Sequence, residues 1–224
     1  MENLQQSNKP LSIATIVTAL LSILCFLILH FVSPEFEPSW RMASEYALGN
    51  HKWLITLFFV FWGISSGCLA FVLWNVVSTK LGKAGVILLF ISGIGEALAA
   101  VFDVKHSLHG FAGLLGIPML PIAALLITYH LKSKELWRDH KISLLLSAHS
   151  TWLSLVLMIV TMIVMIIGFQ NAGIEFKEGS EPPKFVPEGV IAIGGYANRI
   201  LILTYILWLI IVAKIRLKFQ SDNK

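Results

Sequence analysis

Glu96, Asp103, His106 and His109 fall within one stretch, EALAAVFDVKHSLHG, between two long apolar runs. Ionisable groups are expensive at such a place and usually have a task there. A carboxylate and two imidazoles suit zinc or a similar cation. The same groups could serve as general base and orienter, with Asp103 and a histidine activating water for hydrolysis. If the following helix reaches back to His106, then His106, His109 and Gly113 share a face. Glu96 sits seven residues before Asp103, about 10 Å deeper at 1.5 Å per residue. It is flanked by Gly93, Gly95, Ala97, Ala99 and Ala100. Such a carboxyl is either neutral and hydrogen-bonded, or paired with a cation such as Arg199 or Arg41.

The elements that must position these groups are membrane helices. Of 224 residues, 56% are hydrophobic and 13% charged, against about 25% charged in a soluble domain. The apolar residues come in unbroken runs of about 20, the length of a bilayer span. Six spans are expected, at about 11–32, 52–77, 84–102, 110–131, 142–169 and 189–213, in one all-α domain. Residues 1–10 are predicted as a polar cytoplasmic tail and 214–224 as a basic one. Eleven Lys and Arg fall on the side shared by both termini and six on the other. That bias predicts a plasma-membrane protein with both termini in the cytoplasm. The net charge of +4 is thus a topology signal, and nothing points to nucleic acid.

With this orientation, groups from distant positions gather at the outer ends of the spans. The loop 33–51 contains SEYALG, with Ser44 and Glu45, in a predicted short interfacial helix from Trp40 to Leu48. Trp40 and Tyr46 are expected at headgroup level. His30, Arg41 and His51 lie nearby in sequence, and Asn198 and Arg199 begin the last span. Ser44, Glu45, Glu96, Asn198 and Arg199 are the predicted binding residues, and Asp103, His106 and His109 the predicted catalytic ones. Arg199 is the natural partner for an anionic group held among so many acids. The guest is expected to be a small polar molecule or a lipid headgroup, in contact with the bilayer around it.

The small-residue step Gly63–Gly67 lets a second helix approach, within this chain or from another copy. Pro118 and Pro121 should kink the fourth span. Ser147, Ser150, Thr151 and Ser154 make a hydroxyl stripe suited to helix–helix bonding. His130 and His149 lie near the opposite face from the outer histidines, which a haem-carrying electron-transfer bundle would need. An accessory protein docking through small-residue faces is a third class. HExxH, Walker A and GxGxxG are not present, which argues against common zinc proteases and nucleotide users. Cys25 and Cys68 lie inside apolar runs and read as buried thiols.

The run from SEYALG onward, with FDVKHSLHG, GIPMLPIAALL and GGYANRILILTYILWL, resembles a bacterial and archaeal membrane family known as domain of unknown function 998. The resemblance implies a six-helix integral membrane protein and carries no established reaction.

Overall fold

A computed structural model describes residues 8–174, 183 and 185–222. Among them are seven α-helices and two short 3-10 turns, with no strand. The helices are α1 Lys9–Val32, α2 Lys52–Trp74, α3 Lys80–Val101, α4 His109–Gly116, α5 Met119–Leu131, α6 Lys141–Asn171 and α7 Gly194–Asp222. The 3-10 turns are Ala43–Leu48 and Glu135–His140. α4 and α5 together form one span, so six segments are long and apolar enough to cross a bilayer.

Each start and stop has a local cause. Pro10 lies in the first turn of α1, where a missing N–H costs nothing. Thr79 caps α3 by accepting the Gly82 N–H. The fourth span breaks at Ile117–Pro118. Pro121 has no N–H to give the Ile117 carbonyl four residues back. Tyr205 Oη of α7 donates to that carbonyl at 2.7 Å instead. The kink expected from the prolines is therefore a break whose freed oxygen is bound by another span.

The spans form a closed ring in which each packs on its chain neighbour and α7 returns to α1. Lipid tails are as apolar as leucine, so close approach and hydrogen bonds must hold the ring together. A Cβ on Gly63 would meet the Gly93 carbonyl at 2.8 Å, and one on Gly95 would meet the Gly116 nitrogen at 2.3 Å. The Gly63–Gly67 step is thus used inside the chain, against α3. Ser22 donates to the Phe58 carbonyl and Ser65 to the Thr15 carbonyl, joining α1 to α2. Trp208 bonds Thr128, and Ser154 bonds Thr204. The hydroxyl stripe of α6 otherwise bonds its own carbonyls. α6 turns much of its surface outward, through Leu146, Leu153, Val160 and Ile167 among others, as a lipid-facing helix does.

Several boundaries differ from the sequence expectation. α3 begins at Lys80 and α7 runs from Gly194 to Asp222, so the predicted basic tail is largely helix. Its sequence KIRLKFQ keeps an apolar face for packing: Phe219 meets Trp137, and Gln220 accepts from Ser12. The predicted helix Trp40–Leu48 is a 3-10 turn over Ala43–Leu48. Tyr46 is fully buried and Trp40 nearly so, both against other parts of the chain. The ring of Tyr46 packs on Phe26, His30 and Phe36. Residues 1–7 and much of the loop 170–188, with Lys177 and Lys184, lie outside the described residues.

Candidate functional site

The loop between α1 and α2 folds back over the mouth of the ring and is held by α7. It crosses α7 where a Cβ on Gly195 would meet the Pro38 carbonyl at 2.5 Å and the Arg41 carbonyl at 2.8 Å. Only glycine permits that approach. Asn198 Oδ1 accepts the Ala43 N–H at 2.9 Å.

Arg199 secures the same loop. It is 8% exposed and donates Nε to His30 Nε2 at 2.8 Å. Its Nη1 donates to the carbonyls of Arg41, at 2.8 Å, and Gly195, at 3.0 Å. Its Nη2 donates to Tyr46 Oη at 3.2 Å. His30 must accept at Nε2, so its proton is on Nδ1, which donates to the Phe26 carbonyl at 2.7 Å. A neutral imidazole, a phenol and carbonyls thus surround the guanidinium. Arg41 pairs instead with Glu45, whose Oε2 lies 2.9 Å away but without hydrogen-bond alignment. Burial pushes the Glu45 carboxyl above its ordinary value, while Arg41, the Met42 N–H and Arg199 pull it back.

Beneath this loop lies a cavity of about 90 Å³. Ser44 lines it from the loop, Trp62 from α2, Glu96 from α3, His109 from α4 and Asn198 from α7, among apolar neighbours. Four of the eight predicted site residues therefore share one concavity. Glu45 and Arg199 are committed to the loop above it. His109 gives Nδ1 to the Phe102 carbonyl at 2.8 Å, which leaves Nε2.

Glu96 is 4% exposed and has no cation within ion-pair distance among the described residues. Ser66 Oγ lies 2.7 Å from Oε2, and Ser92 Oγ lies 3.0 Å from Oε1 and 2.9 Å from the Gly116 carbonyl. Ser92 has one proton and two acceptors beside it. If Glu96 is a neutral acid, every proton has a place: Ser66 donates to Oε2, Oε1–H donates to Ser92, and Ser92 donates to Gly116. The pairing of Glu96 with Arg199 or Arg41 is thereby corrected, because both guanidiniums are engaged by the loop.

Asp103 and His106 lie outside the cavity lining. Asp103 Oδ2 takes Lys52 Nζ at 2.6 Å and Oδ1 takes the Lys105 N–H at 3.0 Å. The Lys52 hydrogen bond is the main cause that holds its carboxyl below the usual range. His106 is not helical, because α4 begins only at His109. Its ring stacks on Phe102 at 4.5 Å and its Nδ1 accepts the Leu108 N–H. The shared face of His106, His109 and Gly113 does not form. Among the described residues, no three His, Cys, Asp or Glu side chains converge as metal ligands. Both ring nitrogens are hydrogen-bonded in His30, in His130 with Ser78 and Thr79, and in His149 with Tyr129 and Trp152.

Sequence reasoning missed Trp62, whose Nε1 is buried without a hydrogen-bond partner among the described residues. It also missed the serines that hold Glu96. Ser92, four residues before Glu96 on one helix face, was a readable signal; Ser66, on another span, was not.

Six long apolar helical spans define a polytopic integral membrane protein. The family described as protein of unknown function (DUF998) matches residues 16–214, and the chain belongs to that family. Comparison with curated proteins found no match, and neither did comparison with solved structures.

Proposed function

We propose that this chain binds a small polar molecule, or the polar part of a lipid of that size, in the cavity beneath the α1–α2 loop. The observation that carries the reading is Trp62. Its side chain is 5% exposed and lines the cavity, and its indole N–H has no partner among the described residues. A buried donor left unpaired costs about 1–3 kcal/mol, and a guest whose acceptor reached this N–H from the cavity would relieve that cost. Ser44, Asn198, the free nitrogen of His109 and the Glu96 carboxyl supply further polar contacts to one guest. The volume equals about three waters at roughly 30 Å³ each, so the guest is compact.

The positive-inside count places the loop end away from the cytoplasm. Guests then arrive from outside a plasma membrane, past the loop that Arg199 holds. Asp103, hydrogen-bonded to Lys52, lies outside that lining.

Mass spectrometry of small molecules released from purified protein tests the reading. Wild type should release a polar compound that Trp62→Phe and the cavity-filling Ala112→Leu both retain at least tenfold less. Equal retention by all three folded proteins would overturn the reading, as would no compound from any of them.

A further inference from the structure

We propose that Glu96, Ser66, Ser92 and the Gly116 carbonyl form a monovalent-cation site of sodium size, in which the cation exchanges with the Glu96 proton. The proposal rests on the reading above in one respect: the cavity must be wet and reachable from the α1–α2 loop end.

Five oxygens meet here, from two serines, both carboxyl oxygens and one carbonyl, joined by contacts of 2.7–3.0 Å. The carbonyl belongs to the last residue of α4, at the break in the fourth span. The C-terminal end of a helix carries partial negative charge. Ends of broken membrane helices are recurrent cation sites, because their carbonyls lack helical partners. Among the described residues, no cation pairs with this negative end. α3 carries no other charge between Lys83 and Asp103. α2 brings Ser66 and Trp62, α4 brings His109, and α7 brings Asn198 and Tyr205. Arg199 is bonded to His30, Tyr46 and carbonyls. A single positive charge must therefore come from outside, as a proton or as a small ion.

The donor set chooses the ion. All five atoms are hard oxygens, and a single carboxylate balances one charge. Ions of calcium or sodium size take oxygens at about 2.3–2.6 Å. With Glu96 protonated, the same oxygens are held by hydrogen bonds alone. A cation would spread the oxygens slightly and complete its shell with cavity water. The exchange balances: the carboxylic acid plus Na⁺ gives the carboxylate–Na⁺ pair plus H⁺. The proton leaves through the cavity, past His109, to the solvent.

The test is proton release from purified protein in weakly buffered detergent, followed by a pH dye. Sodium chloride is added against N-methylglucamine chloride at equal ionic strength. Wild type should release up to one proton per chain on sodium addition. Glu96→Gln, an isostere that keeps both serine contacts, should release none. Ser92→Ala should need at least tenfold more sodium, which serves as the readout should Glu96→Gln fail to fold. Equal responses to the two salts, or a sodium response unchanged in Glu96→Gln or Ser92→Ala, would overturn the proposal. Loss of the sodium effect with guest release intact removes the cation site alone. A sodium effect without any released guest removes the guest reading alone.

Discussion

Replacing Arg199 with methionine keeps an unbranched stem of similar bulk and removes every donor of the guanidinium. Three acceptors from other elements lose their partner: His30 Nε2, the Arg41 carbonyl and Tyr46 Oη. An unsatisfied buried acceptor costs about 1–3 kcal/mol. The Tyr46 hydroxyl can rotate, and desolvation of the guanidinium is relieved, which offsets part of the loss. The net expectation is about 3 kcal/mol. For a chain of this size each kcal/mol moves the melting temperature by about 2–4 °C, so thermal unfolding in mild detergent should fall by about 6–12 °C. Arg199→Lys should fall at least as far, because an ammonium cannot match the planar fork and stays buried with fewer partners. Tyr46→Phe alone should cost about 1 kcal/mol, and far less in the Arg199→Met background. A wild-type melting temperature in either Arg199 variant, or full additivity with Tyr46→Phe, would refute the view that this side chain holds the loop.

Four further outcomes follow from the same geometry. Gly95→Ala should destabilise the fold by about 1–3 kcal/mol, because its Cβ would press on the backbone at Gly116 and Leu115, whereas Gly110→Ala, with open space around it, should not; thermal unfolding of the two variants checks this. Tyr205→Phe strips the Ile117 carbonyl of its donor and should cost about 1–2 kcal/mol by the same assay. Because the Lys52 hydrogen bond lowers the Asp103 pKa in the folded state, its contribution is present at neutral pH. That contribution is lost as pH falls below the ordinary carboxylate value of about 3.9, so Asp103→Asn should flatten the acid limb of stability. The Glu45 pKa is raised by burial, so its contribution is greatest below about 4.3 and declines as pH rises through the folded value. Glu45→Gln should remove that decline, read as melting temperature against pH.

Much of the architecture was legible because bilayer physics writes it in long runs. Six apolar segments, two prolines in the fourth and glycines at close-packing spacing each announced what they do. That Glu96 is held by hydrogen bonds rather than by a cation was one of two readings its glycine and alanine neighbours allowed. The loop 33–51 was harder. Its polar residues read as an interfacial segment, yet Tyr46 is buried because a guanidinium from a residue 153 positions away meets its hydroxyl. No periodicity reports such a contact. Trp62 looked like one more apolar residue of α2, since only the three-dimensional accounting reveals an indole N–H without a partner. Asp103, His106 and His109 part for a different reason: seven residues bring side chains near in sequence, but the chain turns between α3 and α4, so of the three only His109 lines the cavity.

The most direct measurement of the central claim is an experimentally determined density map of the cavity, at a resolution that shows ordered water. Non-protein density within hydrogen-bonding distance of Trp62 Nε1, extending towards Asn198 or Glu96, is the result the account requires. A dry, featureless cavity, or Trp62 bonded to a protein group instead, would contradict it.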